Sequence, residues 1–328
     1  MGRSEKERVN MNSHANYSPE KLLQHLISEI TLQFGHEKGD CFRQTVTNCR
    51  LVDSDEHKFA RQITIAYMAY AELGLGITGI EAAFIYDYPA SKKHPACIDA
   101  PHLEMLLRGI HVILKLNTTK VKVHSENFRK LLLVLAGDIQ VVLVLLAIVL
   151  YKVRNIEEYT DQEKKMLLRD TKHLYAPLAH RLGLYRIKTT IEDFIMQQEE
   201  PEIYHVIKAR LKESEQKRLD FIEGFLQPIK QRLLADGCNC SFKYRTKSVS
   251  SIWKKMKKQK VDIDDIKDLL AIRIIDESGH HNEKESCWRI YSIVTDLYIP
   301  DPKRLRDWIT VPKASGYESL HTTVRGRD

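Results

Sequence analysis

A run of cationic side chains lies between residues 243 and 260, with a spacing that could serve a phosphorylated ligand. Arg245 and Lys247 are two residues apart, so they share one face if the segment is a strand. Lys255 follows about one turn inside a predicted helix. Such a group can hold a polyphosphate by charge-assisted hydrogen bonds, and an arginine can also stack on a base. The alternative is the solvated basic face of a helix, which we expect for three other lysines, Lys257, Lys258 and Lys260.

A carboxylate precedes the apolar segment "LLAIRIID" downstream of that run. Asp268 stands at the start of this predicted strand, and Arg273 lies five residues further along. A carboxylate at a strand end beside a polyphosphate suits Mg²⁺, which takes few protein oxygens together with substrate phosphates. Three neighbouring acidic residues are better explained as charges at a helix start, namely Asp262, Asp264 and Asp265.

The closing segment "VPKASGYESLHTTVRGRD" places a Lys-Ala-Ser-Gly loop directly before a predicted strand. Tyr317, Ser319 and His321 share one face of that strand, because side chains alternate. A basic loop followed by an aromatic ring and an imidazole could cradle a base and its phosphates, and an ordinary edge strand is the alternative. Three more cations lie close by, Arg304, Arg306 and Lys313. With the basic run and Asp268, these residues predict a Mg²⁺-dependent nucleotide phosphotransfer site.

Length, charge and cysteine content restrict the class of protein. The 328 residues suffice for two domains with sizeable cores. The net charge of +7 is compatible with anionic ligands, but it gives no reason to expect direct DNA binding. The six cysteines include no C-x-x-C pair, and "MGRSEKERVN" at the start lacks the apolar stretch of a secretory signal. We therefore expect free thiols and a cytoplasmic location.

The periodicity of apolar residues changes once along the chain. The first 200 or so residues show helical spacing, as in "SPEKLLQHLISEITLQFG", and a long charged helix is predicted from about Glu202 to Ala235. Strand-like segments follow, "CSFKYRTK", "LLAIRIID" and "ESLHTTVRG", separated by helices. We predict a multidomain chain: a flexible N-terminus at 1–18, an all-α domain at 19–197, and an α+β domain at 198–328 with a mixed sheet and flanking helices.

The apolar segment at residues 131–151 is long enough to span a bilayer. Gly137, Asp138 and Gln140 interrupt it, and the unbroken apolar run after them is too short for a membrane span. A buried core helix is therefore predicted, and no membrane association is expected.

Three segments resemble the synthetase domain of the RelA/SpoT family, the bacterial stringent-response alarmone enzymes: "YRTKSVSSIWKKM", "IKDLLAIRII" and "RLRDWITVPKASGYESLHTTVRG". A fourth, "YAPLAHRLGLYRIKTTIEDF", resembles the joint between that family's two domains. The resemblance covers nearly the whole chain. It implies an all-α HD-type domain followed by a nucleotidyltransferase-like α+β domain.

The resemblance implies a reaction and a donor site. Enzymes of the family move the β,γ-pyrophosphate of ATP to the ribose 3′-hydroxyl of GDP or GTP, giving (p)ppGpp and AMP. By similarity, Arg245 and Arg273 would sandwich the adenine of ATP. Lys247 and Lys255 would hold its phosphates, and Asp268 would bind Mg²⁺.

The acceptor side is implied by the same resemblance. Tyr317 would stack on guanine, and four further residues would line the GDP or GTP site, Arg304, Arg306, Lys313 and His321. The chain departs from the family pattern at Ser315, where Asn is usual, and at Glu318, where Gln is usual. The basic "RLRD" is commoner in bifunctional members, which conflicts with the next observation.

The N-terminal half resembles the family's HD hydrolase domain, which removes the 3′-pyrophosphate with Mn²⁺, but three of that domain's four metal ligands are replaced here. The positions of the early His, the His-Asp pair and the late Asp hold Gln62, Tyr86, Asp87 and Ile148. One carboxylate does not hold a divalent ion, and Lys152 would oppose one. We therefore predict no Mn²⁺ and no (p)ppGpp hydrolysis, with Asp87 as a solvated or hydrogen-bonded remnant.

The family's second catalytic carboxylate, a Glu, and its ribosome-responsive domains lie beyond the point where this sequence stops. The expectation at this stage is a fragment with weak or no synthetase activity, since a general base contributes about two to four orders of magnitude. The ribosome is an implied partner only through those absent domains.

Two other classes of function compete with a synthetase. A non-catalytic module could sense GDP, GTP or alarmone, although it would not need the Mg²⁺ carboxylate Asp268. RNA binding through the lysines of 254–260 predicts steep salt dependence without nucleotide specificity. Few aromatic residues besides Trp253 interleave with those lysines, which argues against it.

Overall fold

Two units, divided between Glu199 and Glu200, build the structure. It is a computed structural model that describes residues 18–87, 100–115, 137–266, 269–277, 283–312 and 317–326. The first unit is helical and the second combines helices with strands, so the prediction of an all-α domain followed by an α+β domain is confirmed.

The first unit consists of helices in the described residues. In chain order they are α1 (Pro19–Phe34), α2 (His36–Val52), α3 (Glu56–Ala71), α4 (Ile77–Ile85), α5 (Ala100–Leu114), α6 (Ile139–Arg154), α7 (Asp161–Asp170), α8 (Ala176–Arg181) and α9 (Tyr185–Glu199). A single wider π-helical turn, Thr171–Tyr175, connects α7 to α8.

Side-chain caps fix where the helices begin. The Ser18 hydroxyl accepts from the Lys21 amide at 3.4 Å and starts α1. Asp55 accepts from the amides of His57 and Lys58 at 2.9 and 3.1 Å and starts α3. Asp138 accepts from the Gln140 amide at 2.8 Å and starts α6. Each cap satisfies an amide that the helix leaves unpaired and contributes about 1 kcal/mol.

Helix α6 is the central element of the first core. Its side chains from Val141 to Tyr151 are almost all buried, and α3, α4 and α5 pack around it. The prediction of a buried core helix is confirmed for 139–151, whereas residues 131–136 lie outside the described residues. No helix among the described residues has both the length and the apolarity that a membrane crossing requires.

The second unit carries helices before and between its strands. These are α10 (Pro201–Glu213), α11 (Glu215–Ala235), α12 (Val249–Gln259) and, after the second strand, α13 (Glu283–Leu297). The single helix predicted from 202 to 235 is wrong, because it is interrupted at Ser214. The Ser214 amide and hydroxyl both donate to the Arg210 carbonyl, at 3.1 and 2.8 Å, and close the last turn of α10. Helix α11 ends before Gly237, whose φ is +71°.

Strands of the second unit pair in twos. Strand β1 (Cys240–Thr246) is antiparallel to β2 (Leu270–Asp276), β3 (Ile299–Pro300) to β6 (Val324–Arg325), and β4 (Arg306–Asp307) to β5 (Leu320–His321). The predicted strand "ESLHTTVRG" is thus two short strands, since it changes partner at Thr322 and Thr323. In the described residues three antiparallel pairs stand where the sequence predicted one mixed sheet.

The apolar face of the β1–β2 pair packs on helices. Phe242, Ile272 and Ile274 adjoin a core of buried residues from α11 and α13, such as Ile229 and Ile293. Burying a side chain of this size stabilises the fold by roughly 1.5–3 kcal/mol. This packing leaves the opposite face of the pair for other contacts.

Candidate functional site

The outward face of β1 and β2 is basic. Lys243 lies directly opposite Arg273, and Arg245 lies directly opposite Ala271, so these side chains share one face. Arg245 and Arg273 are both exposed and are diagonal neighbours across the pair. Diagonal neighbours are about 7–8 Å apart. The two side chains therefore leave the same face from neighbouring positions, and guanidinium groups can stack on planar rings.

The start of α12 continues this face. The Lys247 amide donates to the Leu269 carbonyl at 2.9 Å, which extends the pairing of β1 with β2 by one residue. Ser248 then caps α12 by accepting from the Ser251 amide at 3.3 Å. Lys255 lies in the second turn of this helix and is half-buried. A helix N-terminus with nearby lysines favours an anion.

Other lysines of the run face solvent. Lys258 and Lys260 are exposed, as the interpretation of a solvated face predicts. Lys257 pairs with Glu200 at 3.0 Å and lies 4.7 Å from the centre of the Trp253 ring. Its charge is therefore partly engaged within the second unit.

Tyr317 and His321 form a pair at the other predicted half-site. The Tyr317 hydroxyl and His321 Nε2 share a hydrogen bond of 2.9 Å, and their rings meet edge to face with centres 5.8 Å apart. The two residues therefore lie on one side, as predicted. His321 lies opposite Arg306 in the β4–β5 pair. The structure thus brings together three of the residues implied for the acceptor side.

The two arginines of "RLRD" are tied to their own turn. Arg306 donates to the carbonyls of Lys303 and Leu305 at 3.3 and 3.1 Å, and Arg304 pairs with Asp301 at 3.6 Å. Asp307 accepts from the Ile309 and Thr310 amides at 3.0 and 2.8 Å. Hydrogen bonding from Thr310 lowers the pKa of Asp307. The turn that carries both arginines is therefore held by local bonds.

Two predicted site residues, Asp268 and Lys313, lie outside the described residues. The donor-side and acceptor-side roles implied for all these residues stay predictions.

The predicted hydrolase positions lie on α3, at the end of α4 and on α6. Gln62, Tyr86 and Ile148 are buried, and within the described part of the chain neither side-chain polar atom of Gln62 has a hydrogen-bond partner. Helices α3, α4 and α6 pack against one another. The described residues include no group of three or more His, Cys, Asp or Glu side chains arranged to hold a metal ion.

Asp87 is ion-paired with an arginine that the sequence reasoning missed. Arg61 donates to the Asp87 carboxylate at 2.6 Å. Burial opposes the charge of Arg61, but Tyr86 and Asp87 outweigh it and raise the pKa of the guanidinium. Adjacent residues of a helix face different directions, so the position of Arg61 beside the first replaced ligand, Gln62, did not indicate this contact. Asp87 is thus held by a cation of the chain itself.

A second cation lies within electrostatic reach of this pair. Burial and then the charge of Arg61 lower the pKa of Lys152. Its neighbour Tyr151 donates to the Glu158 carboxylate at 3.1 Å. Two positive side chains therefore stand near Asp87, and both oppose the entry of a divalent cation.

Comparison with known proteins agrees with this two-unit organisation. Residues 53–185 match the model of the HD domain, and residues 244–328 match the model described as "Region found in RelA / SpoT proteins". The bifunctional (p)ppGpp synthase/hydrolase SpoT of Escherichia coli K12 is 32% identical over 261 residues, 78% of this chain and 36% of that protein. The GTP pyrophosphokinase of Myxococcus xanthus is 31% identical over 254 residues, 76% of this chain and 33% of that protein.

A third relative extends the match. The probable guanosine-3′,5′-bis(diphosphate) 3′-pyrophosphohydrolase of Synechocystis is 31% identical over 292 residues, 87% of this chain and 38% of that protein. An HD domain followed by a RelA/SpoT region defines a class of alarmone-metabolising proteins. The chain belongs to the RelA/SpoT family. It spans about a third of the length of the curated relatives it matches.

Proposed function

We propose that the second unit is a (p)ppGpp synthetase domain, which transfers the β,γ-pyrophosphate of ATP to the 3′-hydroxyl of GDP or GTP and releases AMP. The observation that carries the proposal is the diagonal placement of Arg245 and Arg273 on the outward face of β1 and β2. That arrangement suits a planar adenine between two guanidinium groups. The name of the Myxococcus relative, GTP pyrophosphokinase, supports it.

On the donor side, the phosphates of ATP extend from the adenine toward α12. Lys247 directly follows β1, and Lys255 lies in the second turn of α12. Both ammonium groups are therefore proposed to stand near the N-terminus of this helix. Charge-assisted hydrogen bonds from them neutralise the phosphates and orient the β-phosphorus for attack. The attacking oxygen and the leaving AMP oxygen then lie in line across that phosphorus.

Magnesium is the metal that fits this chemistry. Asp268 directly precedes Leu269 in the sequence, and it is the carboxylate that we propose for the ion. One carboxylate with substrate phosphates is a donor set that Mg²⁺ accepts. When bound, the ion supplies neutralisation of charge on the transferred group.

On the acceptor side, Tyr317 offers a ring for guanine. Its hydroxyl is held by His321, which fixes the ring orientation before the base arrives. A ring fixed in advance loses less freedom on binding. Arg304, Arg306, Lys313 and His321 are proposed to line the phosphates of GDP or GTP.

The first unit is proposed to act as a regulatory scaffold without (p)ppGpp hydrolysis. The ion pair of Arg61 with Asp87 and the buried Gln62 and Ile148 support this, because these four positions offer no donor set for Mn²⁺. Some relatives are named as hydrolases, so a measurement of (p)ppGpp hydrolysis by this protein can contradict the proposal.

The test separates binding from turnover. The protein is incubated with ATP, GDP or GTP, and Mg²⁺, and ppGpp or pppGpp and AMP are quantified while ATP binding is measured by calorimetry. We expect low turnover, with AMP and alarmone formed in equal amounts and neither formed without Mg²⁺. Binding of guanine nucleotide with no alarmone formed would instead identify a non-catalytic sensing module. Release of GDP from ppGpp with Mn²⁺ would refute the loss of hydrolase activity.

A further inference from the structure

A cavity of about 490 Å³ lies in the second unit, between the end of α11 and the start of β1. Its walls are mostly apolar and are formed by Leu233, Leu234, Cys238, Cys240 and Phe242, with Lys230, Gly237 and Asn239 completing it. Small-molecule sites in proteins have this range of volume and this kind of lining. Leu234 in this lining is 79% exposed, so the cavity opens to solvent on that side.

The cavity is separate from the proposed nucleotide site. Phe242 and Cys240 point to the face of β1 that packs on α11, whereas Arg245 lies on the opposite face. Open space also lies above Gly237, where no atom of the described residues comes within 4 Å of the position a Cβ would take. The cavity and the proposed adenine site therefore lie on opposite faces of β1.

The charged side chain among the described lining residues is a cation. The Lys230 ammonium lies 5.6 Å from the centre of the Phe242 ring, at the exposed side of the cavity. An ammonium at the edge of an apolar cavity attracts an anion while the side chains behind it accept an apolar body. This is charge complementarity to an amphipathic anion.

The wall of the cavity at Cys240 disfavours negative charge. Burial and the nearby Asp276 carboxylate raise the pKa of the Cys240 thiol to about 11, so a negative charge there is unfavourable. Glu277 lies on the same side, because its amide donates to the Asn239 carbonyl at 2.8 Å. A ligand with one anionic end is therefore oriented, with its head at Lys230 and its apolar part against Cys240.

We propose that this cavity is a binding site for a small amphipathic carboxylate. The carboxylate pairs with Lys230, and the apolar chain lies among Leu233, Cys238 and Phe242.

The two thiols in the wall give a local readout. The full chain is treated with iodoacetamide with and without octanoate, and alkylation of each cysteine is followed by mass spectrometry. We expect octanoate to slow the alkylation of Cys238 and Cys240. Cys287, which is outside the cavity lining and partly exposed, serves as the internal control.

Two variants that each remove a lysine distinguish binding of the ligand's carboxylate from binding of its apolar chain. Lys230→Met removes the cation, and Lys217→Met removes another exposed lysine of α11 that does not line the cavity. We expect about tenfold weaker protection by octanoate in Lys230→Met only, the range for one charge-assisted hydrogen bond. Protection by neutral octan-1-ol should be the same in both variants.

A third variant blocks the cavity while sparing the core. Leu234→Trp places a larger side chain at an exposed position of the wall, and it should abolish protection by both ligands. The proposal is overturned if octanoate fails to protect Cys238, if it slows Cys287 equally, or if Lys230→Met and Lys217→Met behave alike.

Discussion

The Arg61 guanidinium on α3 donates to the carboxylate of Asp87, just after α4, at 2.6 Å. In the resembling hydrolase domain this carboxylate is a metal ligand, so a side chain of the protein pairs with it in place of an ion. A guanidinium carries a permanent positive charge and repels a divalent cation at this distance. The replacements that we propose at Gln62, Tyr86 and Ile148 would oppose metal binding in the same direction as this arginine.

Restoring the metal ligands should not suffice to restore metal binding. We expect Gln62→His, Tyr86→His and Ile148→Asp together to bind Mn²⁺ at least about tenfold more weakly than the same three changes with Arg61→Ala. Calorimetric titration with Mn²⁺ measures the difference, and circular dichroism checks that both variants fold. Equal affinity in the two variants would show that Arg61 does not oppose the ion.

Glu81 should make the first unit less stable as pH rises. The fully buried Glu81 accepts from the Thr45 hydroxyl at 3.1 Å through one oxygen, and its other oxygen has no partner among the described residues. Burial raises the pKa of this carboxyl from 4.5 to about 7. Between those values the folded chain keeps a proton that the unfolded chain releases, so the free energy of unfolding falls as pH rises through this window.

The linkage between proton binding at Glu81 and unfolding also gives the size of the expected change in the free energy of unfolding. The full effect is about 3 kcal/mol, complete above pH 7. Urea unfolding at several pH values measures it, and Glu81→Gln should lack this decline and be more stable than the natural chain above pH 7. A Glu81→Gln variant with the same pH dependence as the natural chain would exclude this carboxyl as the cause.

Arg245 and Arg273 should act as a unit in ATP binding. We expect Arg245→Ala and Arg273→Ala each to weaken ATP binding by about tenfold, since each removes one stacked cation. Because both contact the same ring, the double variant should lose less than the product of the two effects. Lys258→Ala, which removes an exposed lysine of the same basic run, is the control and should leave the affinity unchanged. Multiplicative losses would place the two arginines on separate ligand groups.

The hydrogen bond between Tyr317 and His321 should contribute to guanine-nucleotide affinity. Tyr317→Phe and His321→Ala are each expected to weaken GDP binding by about fivefold, the size of one hydrogen bond. If His321 acts by holding the tyrosine hydroxyl, the double variant should be little worse than either single one. Fluorescent GDP titration provides the measurement. Fully additive losses would mean that His321 acts on the nucleotide independently of Tyr317.

Much of the fold was predictable because its signals are local. The Ser18 cap, the apolar α6 and the alternation that puts Arg245 on the outward face of β1 all follow from short-range patterns. The break at Ser214 was missed, because a single serine whose hydroxyl bonds the Arg210 carbonyl is only a weak signal of a helix end in the sequence.

The interactions that the sequence did not predict join distant positions. Asp87 pairs with Arg61, 26 residues earlier, and no periodic pattern encodes that contact. The segment "ESLHTTVRG" was predicted as one strand, but it forms two. Arg306–Asp307 pairs with its first part and Ile299–Pro300 pairs with its second part. Strand pairing depends on what the rest of the chain offers, which alternation alone does not specify.

The position of a phosphate label tests the central claim, pyrophosphoryl transfer, most directly. The protein is incubated with GDP, Mg²⁺ and ATP labelled at either the γ- or the α-phosphate, and the products are separated. We predict that γ-label appears in ppGpp, that α-label appears only in AMP, and that Arg273→Ala reduces both while Lys258→Ala does not. Nucleotide binding with γ-label found only in ATP or free phosphate would contradict a synthetase and point to a sensing module.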